Sequence, residues 1–178
     1  MLILGIDPGT AVTGYGVVRA GTTHTLVECG VIRTKADAPL PKRLHDISEG
    51  VREVIARHRP AAMAVESAFY AKNVRTTLVL GHARGVILLA GEEAQVAIHE
   101  YPPAEIKKAV VGTGAATKTQ VQLMVAQLLR LKTPPQPADA ADAVAAALTC
   151  AMRLGTQRAL AAARGIGPLV PSARRSRR

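Results

Sequence analysis

Four carboxylates stand where the chain changes direction: Asp7 in GIDPGT, Glu66 in AVESAFY, and Asp139 with Asp142 in PADAADAV. The chain as a whole is basic, with 23 Lys and Arg against 13 Asp and Glu, so acids gathered at the ends of elements are conspicuous. Asp139 and Asp142 stand at i, i+3 spacing, which puts both on one face of a helix. Asp7 and Glu66 each close an apolar run. If those runs are neighbouring strands, both carboxylates meet at one sheet edge, and the helix can bring its pair to the same place. Three or four converging carboxylates repel one another and hold each other's protons on. Divalent cations remove that conflict. Mg²⁺ takes oxygen ligands and keeps several waters, and Mn²⁺ accepts the same ligands. Two such ions about 3.5–4 Å apart can stabilise both the attacking and the leaving oxygen of a phosphodiester displacement. This chemistry needs no His or Cys ligand, and the chain has no His/Cys cluster.

Each acid also has a plainer use. Asp139 and Asp142 suit a helix N-cap and an acidic residue in the first turn. Asp7, before Pro-Gly, suits a turn. Glu66 follows a run in which five of six residues are apolar and is harder to assign to a turn or a cap. The aromatics are few: Tyr15, Phe69, Tyr70 and Tyr101. Phe69 and Tyr70 follow Glu66 closely and lead into AKNVR, with Lys72 and Arg75. An exposed aromatic beside a nuclease centre can stack on a base, worth about 1–3 kcal/mol; the alternative for Phe69 is a place in the core. Between residues 104 and 132 lie Lys107, Lys108, Lys118, Arg130 and Lys132 against the single acid Glu105, and Gly112-Thr113-Gly114 forms a loop leading to Lys118. Such cations can neutralise phosphates or stabilise a pentacovalent transition state, or form a solvated helix face.

The elements that must position these residues follow from periodicity. Residues 2–7, 14–19 and 24–33 read as three strands joined by glycine-bearing turns, an antiparallel meander. Leu44, Ile47, Val51, Val54 and Ile55 then recur at helical spacing until Pro60. A fourth strand is predicted over 61–66, a long helix over 74–93 and a fifth strand over 95–100, closed by Pro102-Pro103. Helices follow near 104–111 and 118–131, then a rigid TPPQP break and an alanine-rich helix from about 138. The order predicts an α/β fold of the ribonuclease-H-like layout, a mixed five-stranded sheet flanked by helices. There is no internal repeat.

A length of 178 residues suits one compact domain. The expected division is a nuclease domain over 1–158 and a basic, disordered tail over 159–178. No run approaches the roughly 18 apolar residues of a membrane span, and MLILGIDPGT does not read as a leader. Cys29 and Cys150 form no metal-type pair and suit ordinary thiols of a reducing compartment, so a cytoplasmic location is expected. A net charge of +10 favours a polyanionic partner. After Asp142 there are seven arginines and no acid, four of them in PSARRSRR. Such an arm can add phosphate contacts that weaken with salt, or serve solubility alone.

GIDPGTAVTGYGVV, ESAFYAKNVRTTLVLGHARGV, YPPAEIKKAVVGTGAATKTQVQ and PADAADAVAAAL together resemble the RuvC family of Holliday junction resolvases, in order and spacing, over nearly all of residues 1–150. The resemblance implies a homodimer that binds four-way DNA junctions and makes symmetric, Mg²⁺-dependent nicks in two strands of like polarity. It implies Asp7, Glu66, Asp139 and Asp142 as metal ligands, Phe69 as the aromatic at an unstacked base, and Lys107 and Lys118 near the scissile phosphate. Tyr70, Lys72, Arg75 and Lys108 are further expected DNA contacts. Some relatives carry His where this chain has Asp139. A branch-migration motor is an expected partner. A two-fold dimer matches the approximate two-fold symmetry of a four-way junction, and the helix over 74–93 is the expected contributor to its interface. Three other readings compete. GIDPGT also resembles the first phosphate loop of the actin, Hsp70 and sugar-kinase superfamily, but no second phosphate loop is present. A non-catalytic junction- or RNA-binding protein would leave the acidic quartet unexplained. An RNA-processing relative shares the fold but does not explain the Phe69 segment with Asp139 and Asp142.

Overall fold

The structure is a computed structural model that describes residues 1–67 and 74–164. Five strands, β1 (Leu2–Asp7), β2 (Val12–Arg19), β3 (Thr25–Arg33), β4 (Ala62–Glu66) and β5 (Ala97–Tyr101), form one sheet in the order β3-β2-β1-β4-β5. β1 pairs antiparallel with β2, and β2 with β3, as their short connections require; β1 with β4 and β4 with β5 are parallel. The two parallel connections pass through helices α1 (Leu40–His58) and α2 (Val74–Glu93). Helices α3 (Pro103–Val111), α4 (Lys118–Leu128) and α5 (Ala138–Ala163) follow. The mixed five-stranded, ribonuclease-H-like layout is therefore as expected.

The alternation of β1 sorts its side chains between two cores. Ile3 joins a cluster with the alanines of α5 and with Ile106, Val121 and Val125 of α3 and α4. Leu4 and Ile6 join the opposite cluster with Ile47 and Val51 of α1 and Ala83 and Ile87 of α2. The α5 side is packed most closely. A Cβ at Gly5 of β1 would collide with the Ala143 carbonyl, and one at Gly14 of β2 with the Asp139 carbonyl. The two glycines and the alanine face of α5 thus allow backbone to lie on backbone.

β2 begins at Val12 rather than 14, and two further predicted boundaries move for identifiable reasons. β5 begins at Ala97 rather than 95 because Gln95, at φ 55°, turns the chain while Val96 N–H still bonds the Gly91 carbonyl. α4 ends at Leu128 rather than 131: Arg130 is left-handed (φ 54°) and Leu131 N–H closes back on the Ala126 carbonyl, a common helix stop. α5 continues through Ala163, past the expected domain boundary at 158. Among the described residues no helix is long and apolar enough to cross a membrane.

Candidate active site

Ile6 of β1 and Val65 of β4 are parallel partners, so the next residues, Asp7 and Glu66, leave the sheet side by side. Asp7 also stands opposite Gly14 of β2. Because Gly14 carries the first turn of α5, that helix start is held over the same edge. The result is a cavity of about 330 Å³ lined by Asp7, Glu66 and Asp142 together with Lys107, Lys118, Ile106 and Val121. Three acids far apart in sequence are thus brought together by three elements. Asp139 does not line the cavity, although its charge is felt there by Asp7 and Lys118. It sits in the first turn of α5, whose N-cap is Pro137, so the capping use of Asp139 is not realised.

The loop after Asp7 is tied on both sides. Thr13 Oγ1 donates to the Gly9 carbonyl at 2.6 Å. The Thr10 carbonyl accepts from Thr34 Oγ1 at 2.5 Å and from Arg43 Nε at 3.2 Å. Neither Thr34 nor Arg43 was singled out from sequence, because a clamp between distant residues leaves no local signal. Lys107 is delivered by α3, which starts at Pro103 directly after β5; the pairing of β4 and β5 runs on through Ser67 N–H to the Tyr101 carbonyl at 2.9 Å. Gly112, at φ 94°, ends α3. Lys118 opens α4, whose start is fixed by a capping box: Gln120 N–H donates to Thr117 Oγ1 at 3.3 Å and Thr117 N–H to Gln120 Oε1 at 2.8 Å.

The charges are poised unusually. Burial first, then the neighbouring Glu66, Asp142 and Asp139, push the Asp7 carboxyl up to about 8, against the pull of Lys118. Glu66 is raised by burial and by Asp142, while Lys118, a hydrogen bond from Asp7 and Lys107 pull it back. Lys118 is raised above an ordinary lysine by its hydrogen bond to Asp142, its Nζ lying 2.6 Å from Asp142 Oδ2. Among the described residues no three Asp, Glu, His or Cys side chains form a ready-made metal-holding group; Asp142 is engaged with Lys118 instead. The donor set nonetheless fits a hard divalent cation: all the donors are carboxylate oxygens, and their mutual repulsion is what such an ion relieves.

The other expected contacts lie elsewhere. Lys108 is exposed on α3 and outside the cavity. Arg75, exposed at the start of α2, lines a separate cleft with Thr10 and Thr76. Phe69, Tyr70 and Lys72 lie outside the described residues.

Residues 3–150 match the family model described as crossover junction endodeoxyribonuclease RuvC. The chain belongs to the RuvC family. It is 53% identical over 151 residues to the crossover junction endodeoxyribonuclease RuvC of Moorella thermoacetica, covering 83% of this chain and 89% of that one. Identity to the protein of the same name from Pelotomaculum thermopropionicum is 50% over 149 residues, 83% of this chain and 91% of the relative. Among solved structures, Thermus thermophilus RuvC in complex with Holliday junction substrate superposes with a TM-score of 0.82 at 40% identity, over 88% of this chain and 97% of that chain. The yeast mitochondrial Holliday junction resolvase shares the fold at a TM-score of 0.62 and 12% identity, over 91% of this chain and 85% of that one. Membership of the RuvC family removes the phosphate-loop reading of GIDPGT, and the loop of this RuvC-family chain is the turn that follows Asp7.

Proposed function

We propose that this chain resolves Holliday junctions by symmetric, metal-dependent nicking of two strands of like polarity, in DNA recombination and repair. The observation that carries the reading is the single cavity that receives Asp7, Glu66 and Asp142 from β1, β4 and α5 and Lys107 and Lys118 from α3 and α4. Family membership supplies the reaction class, a crossover junction endodeoxyribonuclease. In this reading Asp7, Glu66, Asp142 and Asp139 hold Mg²⁺ or Mn²⁺, two ions per site. When bound, such ions supply an activated water and charge stabilisation at the attacking and leaving oxygens. Asp7, whose carboxyl burial and the neighbouring acids push up to about 8, must surrender its proton to become a ligand. Lys107 and Lys118 balance the charge of the phosphate oxygens. Phe69 stacks on an unpaired base near the crossover, and Tyr70, Lys72, Arg75 and Lys108 contact the flanking strands.

The enzyme acts as a homodimer in the cytoplasm, beside a branch-migration motor. A dimer is supported by α2, where Val74, Leu78 and Leu89 are 77%, 60% and 52% exposed. Apolar side chains so placed on one helix gain by burial against a second copy. Junction binding is supported by the Thermus relative in complex with its junction substrate.

Cleavage of a synthetic four-way junction, compared with a linear duplex of the same sequence, tests the reading. Paired nicks in the junction alone, dependent on Mg²⁺ and lost in EDTA, are the expected result. Binding without cutting in both Mg²⁺ and Mn²⁺, across several junction sequences, would overturn it.

A further inference from the structure

The acidic cavity carries a cation of its own. Lys118 Nζ lies 2.6 Å from Asp142 Oδ2, and Asp142 is the more enclosed partner, with 21% of its side chain exposed against 55% for Lys118. The backbone of Lys118 is fixed by the Thr117–Gln120 capping box, whereas its half-exposed stem has room to rotate. Lys107 lines the same cavity from α3, yet among the described residues it forms no ion pair with an acid. The two lysines therefore differ in kind: one adds to the local field, the other occupies a ligand.

We propose that Lys118 is the resident counter-ion of Asp142, that a divalent cation entering the cavity must displace it, and that the freed ammonium is handed to the DNA phosphate. This rests on the nuclease reading above. A metal ion that takes Asp142 as a ligand competes with Lys118 for Asp142 Oδ2. The displaced ammonium cannot travel far, because its backbone is fixed by the capping box; Asp7 and Asp139, whose charges it already feels, are in this reading committed to the metal, which leaves the DNA phosphate as its partner. Metal loading and phosphate capture are then two halves of one exchange. Thermodynamic reciprocity requires that DNA tighten metal binding by the same factor as metal tightens DNA binding. The exchange also protects the empty site, since Asp142 is never left as an uncompensated charge.

Calorimetric titration of the DNA-free protein with Mn²⁺ tests the idea. Lys118→Met is expected to bind the ion about fivefold more tightly than the parent, the scale of a partly exposed ion pair. Lys107→Met, which removes the same charge from the same cavity, is expected to gain less than about twofold, since a displaced field is screened. Lys118→Arg is expected to show no gain. Equal gains in the two Met variants, or none in Lys118→Met, would overturn the proposal. A second measurement needs no variant. The Lys118 side-chain resonances of the parent protein should shift during a Mg²⁺ titration, with the midpoint of metal binding, and Lys107 should shift far less; a silent Lys118 would also overturn it. A parent that cuts junctions while Lys118→Met gains nothing refutes this inference alone. A parent that neither binds a divalent ion nor cuts refutes the nuclease reading with it.

Discussion

Asp7 is the residue whose state the fold changes most. Its carboxyl is raised from 3.8 to about 8 by burial and by three other acids, so between those values the folded chain keeps a proton that the unfolded chain has lost. The sign follows from linkage: with more protons bound in the folded state, stability falls as pH rises. In EDTA, thermal unfolding followed from pH 5 to pH 9 should show a falling melting temperature, the contribution being present at low pH and gone above about 8. Asp7→Asn should flatten that profile, because the amide has no proton to lose. The same substitution should reduce junction cleavage by at least about 10²-fold while leaving junction binding near that of the parent, measured by cleavage assay and by fluorescence anisotropy. Near-normal cleavage by Asp7→Asn would remove Asp7 from the site.

At the scale of elements, the seat of α5 on the sheet is decisive. Gly14→Ala would drive a methyl group into the Asp139 carbonyl, a backbone atom that cannot rotate away. Overpacking of this kind costs about 1–3 kcal/mol, and the helix start that carries Asp142 must shift to relieve it. We expect a lower melting temperature and, at a temperature where the variant is fully folded, a further loss of cleavage; normal turnover by the folded variant would show that the seat is structural only. This contact was not legible in the sequence. GYG reads as a strand with small residues, and nothing local says which partner lies above it. The acids themselves were legible, because Asp7 and Glu66 end apolar runs and Asp142 opens a patterned helix. Their inequality was not: the i, i+3 spacing puts Asp139 and Asp142 on one face, but only Asp142 lines the cavity. The ends of α4 and β5 were misplaced for a related reason. Arg130 and Gln95 take left-handed backbone without being Gly or Asn, so composition offered no stop signal.

In the proposed dimer, the whole molecule holds two such sites and grips a polyanion. Leu78→Glu on the exposed face of α2 should dissociate the dimer, seen as halved mass in analytical ultracentrifugation, and turn paired junction cuts into unpaired nicks. An intact dimer would move the interface elsewhere. The net charge of +10 is concentrated late in the chain, where PSARRSRR supplies four arginines. Deleting residues 165–178 should reduce the slope of log affinity against log salt by up to about 3–4, at roughly 0.9 per phosphate contact. An unchanged slope would leave those arginines no part in DNA binding. The seat of α5 has one more consequence. Spacing between Asp7 and Asp142 is gauged by two backbones pressed together, as a machinist gauges a gap with a shim, and a shim of peptide atoms does not soften gradually. Warming should therefore leave the tolerance of the cutting site intact until α5 lifts off as a unit. The temperature at which cleavage fails should then coincide with the temperature at which the fold melts.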